Sequence, residues 1–121
     1  MFNKIDYLML HTNNIERSIN FYNHTLGFKI KFKSDAWSEL ETGTTTLALH
    51  FTKETVNPSK FISFGFGVED IHDIFNKLMA SGARLNTNIK EEGDLLMASF
   101  KDPDGHIFWV AQQLIKLEKK D

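Results

Sequence analysis

Residues 13–27, which read NNIERSINFYNHTLG, decide the fold. Asn13 is a residue type that caps helices, and Glu16, three positions later, is placed to complete a capping box. Apolar side chains then recur at helical spacing, at Ile15, Ile19, Tyr22 and Leu26. Gly27 supplies the left-handed conformation with which helices commonly end. This stretch therefore predicts one helix that starts after Asn13 and ends at Gly27.

The same plan returns in the second half of the chain, at 69–82, which reads EDIHDIFNKLMASG. Glu69 and Asp70 lie at a predicted helix start, and Gly82 ends the helix. Its apolar stripe consists of Ile71, Ile74, Phe75 and Leu78. The two terminal glycines are about 55 residues apart, a period that indicates a duplicated module.

Strand patterns complete each module, because one predicted strand precedes each helix and three follow it. In the first half the predicted strands are 4–12, 28–33, 37–41 and 45–51, the last two joined by a turn near Thr42-Gly43. In the second half they are 61–68, 84–90, 95–100 and 106–112, with a turn at 102–105. Alternation places Ile30, Phe32, Phe51 and Ile62 with the core residues. We expect an α+β fold of two pseudo-repeated βαβββ modules, at about 1–56 and 57–115, within a single domain of 1–121.

Composition limits the classes of partner. The chain has 121 residues, a formal net charge of -2 and no cysteine. This slightly negative net charge provides no electrostatic attraction for nucleic acid or for an anionic membrane. No apolar stretch reaches the ~20 residues of a membrane helix, and the N-terminus lacks the apolar run of a signal peptide, so we expect a cytoplasmic protein. Without thiolates, any metal would need His, carboxylate or amide ligands.

Three motifs together resemble a known family. The first motif is Ile15–Tyr22 followed by Leu26-Gly27-Phe28, the second is Val68–Ile71, and the third is Phe100–Gly105. In this order they resemble the glyoxalase/bleomycin resistance protein/dioxygenase (vicinal oxygen chelate) superfamily. The resemblance covers nearly the whole chain. That family includes glyoxalase I, extradiol dioxygenases and antibiotic-binding resistance proteins. The resemblance implies that the modules form an open, barrel-like mixed-sheet crevice, and that the chain is a homodimer.

The resemblance also implies four positions at which enzymes of the family hold a divalent metal with His, Glu or Gln. In this sequence they fall on Tyr7, on Ala48 or His50, on Ser63 and on Trp109. Only His50 carries metal-ligand chemistry, and a lone imidazole binds a metal weakly. We therefore expect these side chains, together with Trp37, to line a ligand-binding crevice.

The leading hypothesis is metal-independent binding of a small molecule in the inter-module crevice, as in antibiotic sequestration, by Tyr7, His50, Ser63, Trp109 and Trp37. It assigns no catalytic residue and no cofactor. The alternative is a metal-dependent enzyme, a lactoylglutathione lyase-like lyase or isomerase or an extradiol-type dioxygenase. Its divalent metal would be held by His11, His50 and a carboxylate such as Glu39 or Glu41. Metal-free acid/base catalysis by Tyr7 and His50 is a third reading.

Overall fold

A computed structural model describes residues 1–114, and the charged tail at 116–121 lies outside the described residues. The first repeat contains β1 (Tyr7–Thr12), α1 (Ile15–Ile19) continued by a π-helical segment (Asn20–Thr25), β2 (Lys29–Phe32), β3 (Trp37–Glu41) and β4 (Thr46–Phe51). The second contains β5 (Phe64–Gly67), α2 (Ile71–Ala80), β6 (Arg84–Glu92), β7 (Leu95–Lys101) and β8 (Ile107–Gln113). The predicted order βαβββ is confirmed in both repeats.

Each repeat forms a four-stranded mixed sheet, in the order β1-β4-β3-β2 for the first sheet and β5-β8-β7-β6 for the second sheet. The first and last strands of each repeat pair in parallel, and the other pairs are antiparallel. The chain divides into two compact units, one of Met1–Pro58 with Pro103–Gly105 and one of Ser59–Asp102 with the residues from His106 onward. The turn at Pro103–Gly105 therefore belongs to the unit of the first sheet.

Side-chain caps set where the helices begin. Asp70, which was expected at the start of α2, caps it: its Oδ1 accepts a hydrogen bond from the Asp73 backbone N–H at 3.2 Å. The predicted cap of α1 was wrong by one residue: Asn14 Oδ1 accepts from the Arg17 N–H at 3.0 Å. This shift removes the capping box expected for Glu16, since Arg17 now occupies the third helical position.

Apolar side chains fill one side of each sheet, where α1 packs on β3 and β4 and α2 packs on β7 and β8. In the first unit the buried set includes Leu10, Ile15, Ile19, Phe21, Tyr22, Leu40, Leu47 and Leu49. In the second it includes Ile71, Leu78, Ala98, Phe100, Phe108 and Val110. Burying these side chains removes large apolar surfaces from water and supplies the main stabilising term of each unit.

Four side chains expected in the core are exposed, and one of them is Ile30 of β2, at 41%. Ile62 is 75% exposed because β5 begins only at Phe64, so the pleat predicted for Ile62 does not exist. Phe32 is 53% exposed: it lies on an edge strand after a register shift that follows Ile30. Phe51, the last residue of β4, is 36% exposed. Period-two alternation failed in these places because strand ends and bulges break the pleat.

Candidate functional site

The side of the first sheet opposite α1 carries polar and aromatic side chains, and we call it the polar face. Strand register assigns its members, because Tyr7, Met9 and His11 of β1 pair with Thr46, Ala48 and His50 of β4. In β3, Trp37, Glu39 and Glu41 pair with His50, Ala48 and Thr46. Both residues that the sequence left open for one position, Ala48 and His50, therefore lie on this face.

Four rings form an aromatic row across the polar face. His50 lies at its centre, with its ring centroid 5.2 Å from that of His11 and 5.6 Å from that of Trp37. The Trp37 ring lies 5.9 Å from the Tyr7 ring, and the two planes are almost perpendicular, at 84°. Edge-to-face contacts of this kind stabilise by about 0.5–1.5 kcal/mol beyond the buried area. Tyr7, Trp37 and His50, three of the predicted site residues, therefore come together.

Ala48 explains how rings from separate strands meet. Tyr7 and Trp37 come from β1 and β3, which flank β4 on either side. On β4, Ala48 lies midway between Thr46, the partner of Tyr7, and His50, the partner of Trp37. The Ala48 side chain is fully buried although it points to the polar face, which indicates that its larger neighbours cover it. A small residue at this point leaves room for the two rings to approach each other.

Glu39 is held beside the indole ring of Trp37. Trp37 Nε1 donates a hydrogen bond of 2.8 Å to Glu39 Oε2, and both side chains are half-buried. The carboxylate thus has a fixed position next to the aromatic row. Glu39 and Tyr7 also line an open pocket of about 460 Å³, together with Lys4, Asp6, Lys31, Gly43, Thr44 and Thr46.

His50 carries the one orphaned polar atom among the buried side-chain nitrogens and oxygens of residues 1–114. Its Nδ1 has no hydrogen-bond partner, while its ring faces those of His11 and Trp37. An unsatisfied buried nitrogen costs about 1–3 kcal/mol and is a feature that a ligand or water can satisfy. Residues 1–114 contain no group of three or more His, Asp or Glu side chains placed to hold a metal ion, so the His11–His50 pair has no third partner of this type.

The other two predicted site residues belong to the second unit. Trp109 lies on β8 between Gly65 of β5 and Ser99 of β7, and it is half-buried. A Cβ added at Gly65 would lie 3.5 Å from the Trp109 Cβ, so the glycine places no side chain beside that of Trp109 on β5. Lys90 Nζ lies 5.9 Å from the centroid of the Trp109 ring. Ser63 is exposed and precedes β5, outside the strand expected to hold it.

Sequence reasoning missed two polar partners in these regions. The first was the bond between Trp37 and Glu39, although two residues of separation on a strand already places them on one face. The second was the stacking of Lys90 on Trp109, which depends on the pairing of β6, β7 and β8 and has no local signal in the sequence.

Comparison with known proteins agrees with this architecture. A sequence model of the Glyoxalase/Bleomycin resistance protein/Dioxygenase superfamily matches residues 4–110. The chain belongs to this superfamily. No match was found among curated proteins.

Solved structures of superfamily type share the fold. The chain is similar to the integron cassette protein HFX_CASS4 from the metagenome of the Halifax Harbour sewage outfall, with 23% identity and a TM-score of 0.77 over 92% of this chain and 99% of that one. It is also similar to TnmS3, an antibiotic binding protein from Streptomyces sp. CB03234, with 19% identity and a TM-score of 0.79 over 93% and 97%. A glyoxalase-related enzyme from Fulvimarina pelagi shows 18% identity and a TM-score of 0.80 over 93% and 89%.

The superfamily implies a divalent metal in some members, and the residues of this chain do not fit one. At the positions that the family resemblance assigns to metal ligands, Tyr7, Ser63 and Trp109 offer a phenol, an alcohol and an indole. A neutral alcohol or phenol is a weak ligand for a divalent ion, and an indole N–H offers no lone pair. His50 alone has the right chemistry, and a single imidazole holds a metal poorly.

Proposed function

We propose that this protein binds a small organic molecule without a metal, and that the aromatic row of the polar face is its main contact surface. The observation that carries the proposal is the contact of Tyr7, Trp37 and His50 on one sheet face. Aromatic and polar groups that converge beside an open pocket are the usual composition of small-molecule sites.

An antibiotic of planar, aromatic character is the ligand class that we propose. Flat rings can stack on the exposed part of the row, and each such contact contributes about 0.5–1.5 kcal/mol beyond burial. TnmS3 is an antibiotic binding protein with the same fold. We include Ser63 and Trp109 as proposed ligand contacts of the second unit, where Trp109 is half-buried and Gly65 beside it has no side chain.

A fluorescence titration tests this proposal directly, because the chain has only two tryptophans. Trp109→Phe leaves Trp37 as the sole reporter, and Trp37→Phe leaves Trp109. We expect planar aromatic antibiotics to quench Trp37 emission saturably and to raise the melting temperature, since ligand binding stabilises the native state by mass action. A panel that changes neither signal would contradict the proposal.

The competing function is that of a metal-dependent lyase, isomerase or dioxygenase, and one observation favours it. His11 and His50 lie with ring centroids 5.2 Å apart, and His50 Nδ1 is unpartnered. This function would need a carboxylate, from Glu39 or Glu41, to join the two imidazoles, and residues 1–114 hold no such group of three in place. Metal analysis of the untagged protein discriminates between the two functions.

We further propose that the protein is a homodimer that works in the cytoplasm. Each sheet ends in an edge strand, and apolar side chains such as Phe61 and Ile62 are 95% and 75% exposed. Edges and apolar patches of this kind are commonly covered by a second copy. Among residues 1–114, no helix is long and apolar enough to cross a membrane.

A further inference from the structure

We infer that the corner formed by Tyr7, Trp37 and Glu39 recognises an organic ammonium group carried by the ligand. This inference rests on the proposed function and specifies the charge that the polar face selects. Its basis is the combination of two perpendicular rings with a carboxylate that is fixed in place beside them.

The two rings provide electron-rich surfaces at a right angle. Tyr7 and Trp37 have centroids 5.9 Å apart and planes at 84°, an edge-to-face contact, so a group placed beside it meets a face of the ring that presents its edge. The Tyr7 side chain is about half exposed, at 55%, which keeps this corner open to solvent. The face of an aromatic ring attracts a cation within about 6 Å of its centroid, and tryptophan does so most strongly. The corner therefore favours a positively charged group over a neutral one of the same size.

The Glu39 carboxylate adds a directional charge to the corner. Its Oε2 accepts the indole N–H of Trp37 at 2.8 Å, and this is its one hydrogen bond within residues 1–114. Oε1 is therefore left to accept a hydrogen bond from a ligand. A bond between an ammonium N–H and a carboxylate is about twice as strong as a neutral one. Because Glu39 is half-buried, solvent screens this attraction less than it would on an open surface.

Two lysines of the same pocket oppose a cation, and their contacts limit that effect. Lys4 Nζ lies 3.4 Å from Asp6 Oδ1, which balances its charge. Lys31 Nζ donates to Thr46 Oγ1 at 3.2 Å. Neither lysine forms an ion pair with Glu39 among the described residues. The Glu39 carboxylate thus remains without a cationic partner among the described residues, while the four charged lining groups, two lysines and two carboxylates, have a net charge of zero.

Three probes with one ring and different charges test the inference. They are 2-phenylethylamine, 2-phenylethanol and 3-phenylpropionate, titrated into the Trp109→Phe variant with Trp37 emission as the signal. We expect the amine to bind about tenfold more tightly than the alcohol, and the carboxylate to bind most weakly. This comparison needs no change in the corner itself, so it does not depend on how a variant folds.

The Glu39→Gln variant then separates the effect of the carboxylate charge from that of the shape of the corner. The amide oxygen of glutamine still accepts the Trp37 N–H, so the shape of the corner is preserved while its negative charge is removed. We expect the amine-to-alcohol ratio to fall close to one. Glu41→Gln is the matched control, because Glu41 lies on the same strand and face but is exposed and pairs with Thr46. It should keep the preference.

The outcomes separate this inference from the proposed function. If the alcohol and the amine bind equally, or if Glu39→Gln keeps the preference, ammonium recognition is overturned while aromatic binding at Trp37 stands. If none of the three probes perturbs Trp37, ammonium recognition at this corner is overturned, and the antibiotic panel decides the proposed function separately. If Glu41→Gln removes the preference and Glu39→Gln does not, the cation is placed elsewhere on the face, which also overturns the assignment.

Discussion

Arg17 Nη2 lies 2.6 Å from Asp104 Oδ1, so that α1 is ion-paired to the turn between β7 and β8. The Asp104 side chain is only 2% exposed, and its Oδ2 accepts a hydrogen bond of 2.9 Å from Ser18 Oγ. Thr12 Oγ1, which is fully buried, lies 2.7 Å from Ser18 Oγ. Two of the motifs that carry the family resemblance, at 15–22 and 100–105, therefore form one contact within the first unit.

This contact should matter for stability. Asp104→Ala removes the charged acceptor of the Ser18 hydroxyl and the counter-charge of the Arg17 guanidinium, whose side chain is 43% exposed, and we expect a loss of about 1.5–3 kcal/mol in the free energy of unfolding. Urea denaturation measures it. Asp6→Ala is the control: it breaks the solvent-exposed pair with Lys4 and should cost under about 1 kcal/mol. Equal losses in the two variants would mean that the burial of Asp104 adds nothing.

Local signals in the sequence predicted most of the fold. Asp70 and Gly82 bound α2 as expected, because capping and left-handed termination depend on residues close in sequence. The cap of α1 was misplaced because Asn13 and Asn14 are the same residue type, and only the backbone decides between them. The ion pair of Arg17 with Asp104 could not be predicted, since it joins residues 87 positions apart.

The candidate site was predicted in its parts and missed in its geometry. Alternation put Ala48 and His50 on one side of β4, and this is confirmed by the strand register. The contact of Tyr7 with Trp37 depends on β4 lying between β1 and β3, which local patterns do not specify. Ser63 was placed on a strand because the alternating pattern begins at residue 61, before the true start of β5 at Phe64.

Replacing Gly82 and Gly65 with alanine should change the free energy of unfolding in opposite directions. Gly82 has a φ of +86°, and nothing lies within 4 Å of an added Cβ, so Gly82→Ala should cost about 1–2 kcal/mol through backbone strain alone. Gly65 is a strand residue whose added Cβ meets only ordinary contacts, the nearest at 3.5 Å. Gly65→Ala should therefore stabilise by about 0.5–1 kcal/mol. Thermal unfolding compares the two, and destabilisation by Gly65→Ala would show that the β5–β8 pair tolerates no side chain there.

Metal content should distinguish the two candidate functions. We expect untagged protein to contain far less than one equivalent of zinc, iron, manganese or nickel, because only His50 among the family's ligand positions carries suitable chemistry. His50→Ala should not change this content, and a chelator should not lower the melting temperature. A stoichiometric metal that is lost in both His11→Ala and His50→Ala would instead support the metal-dependent enzyme.

The mass in solution should be close to twice the 14.0 kDa of one chain. Light scattering coupled to size exclusion measures it. If Phe61 and Ile62 contribute to the contact between copies, replacing both with serine should shift the mass towards one chain without lowering stability, because neither side chain is buried in the described structure. Met79→Ser, on the exposed side of α2, serves as the control and should leave the mass unchanged. A wild-type mass of one chain would refute the dimer.

Enlarging Ala48 should take the aromatic row apart. Its side chain is fully buried on the polar face between the strands of Tyr7 and Trp37, so Ala48→Leu must displace one or both rings. Overpacking of this kind costs about 1–3 kcal/mol. In the Trp109→Phe background, we expect Trp37 emission to shift to the red and ligand-induced quenching to disappear. Ala111→Leu, the matched change on the second sheet, should leave the Trp37 spectrum unaltered. Undiminished quenching in Ala48→Leu would show that the ligand does not use the contact between Tyr7 and Trp37.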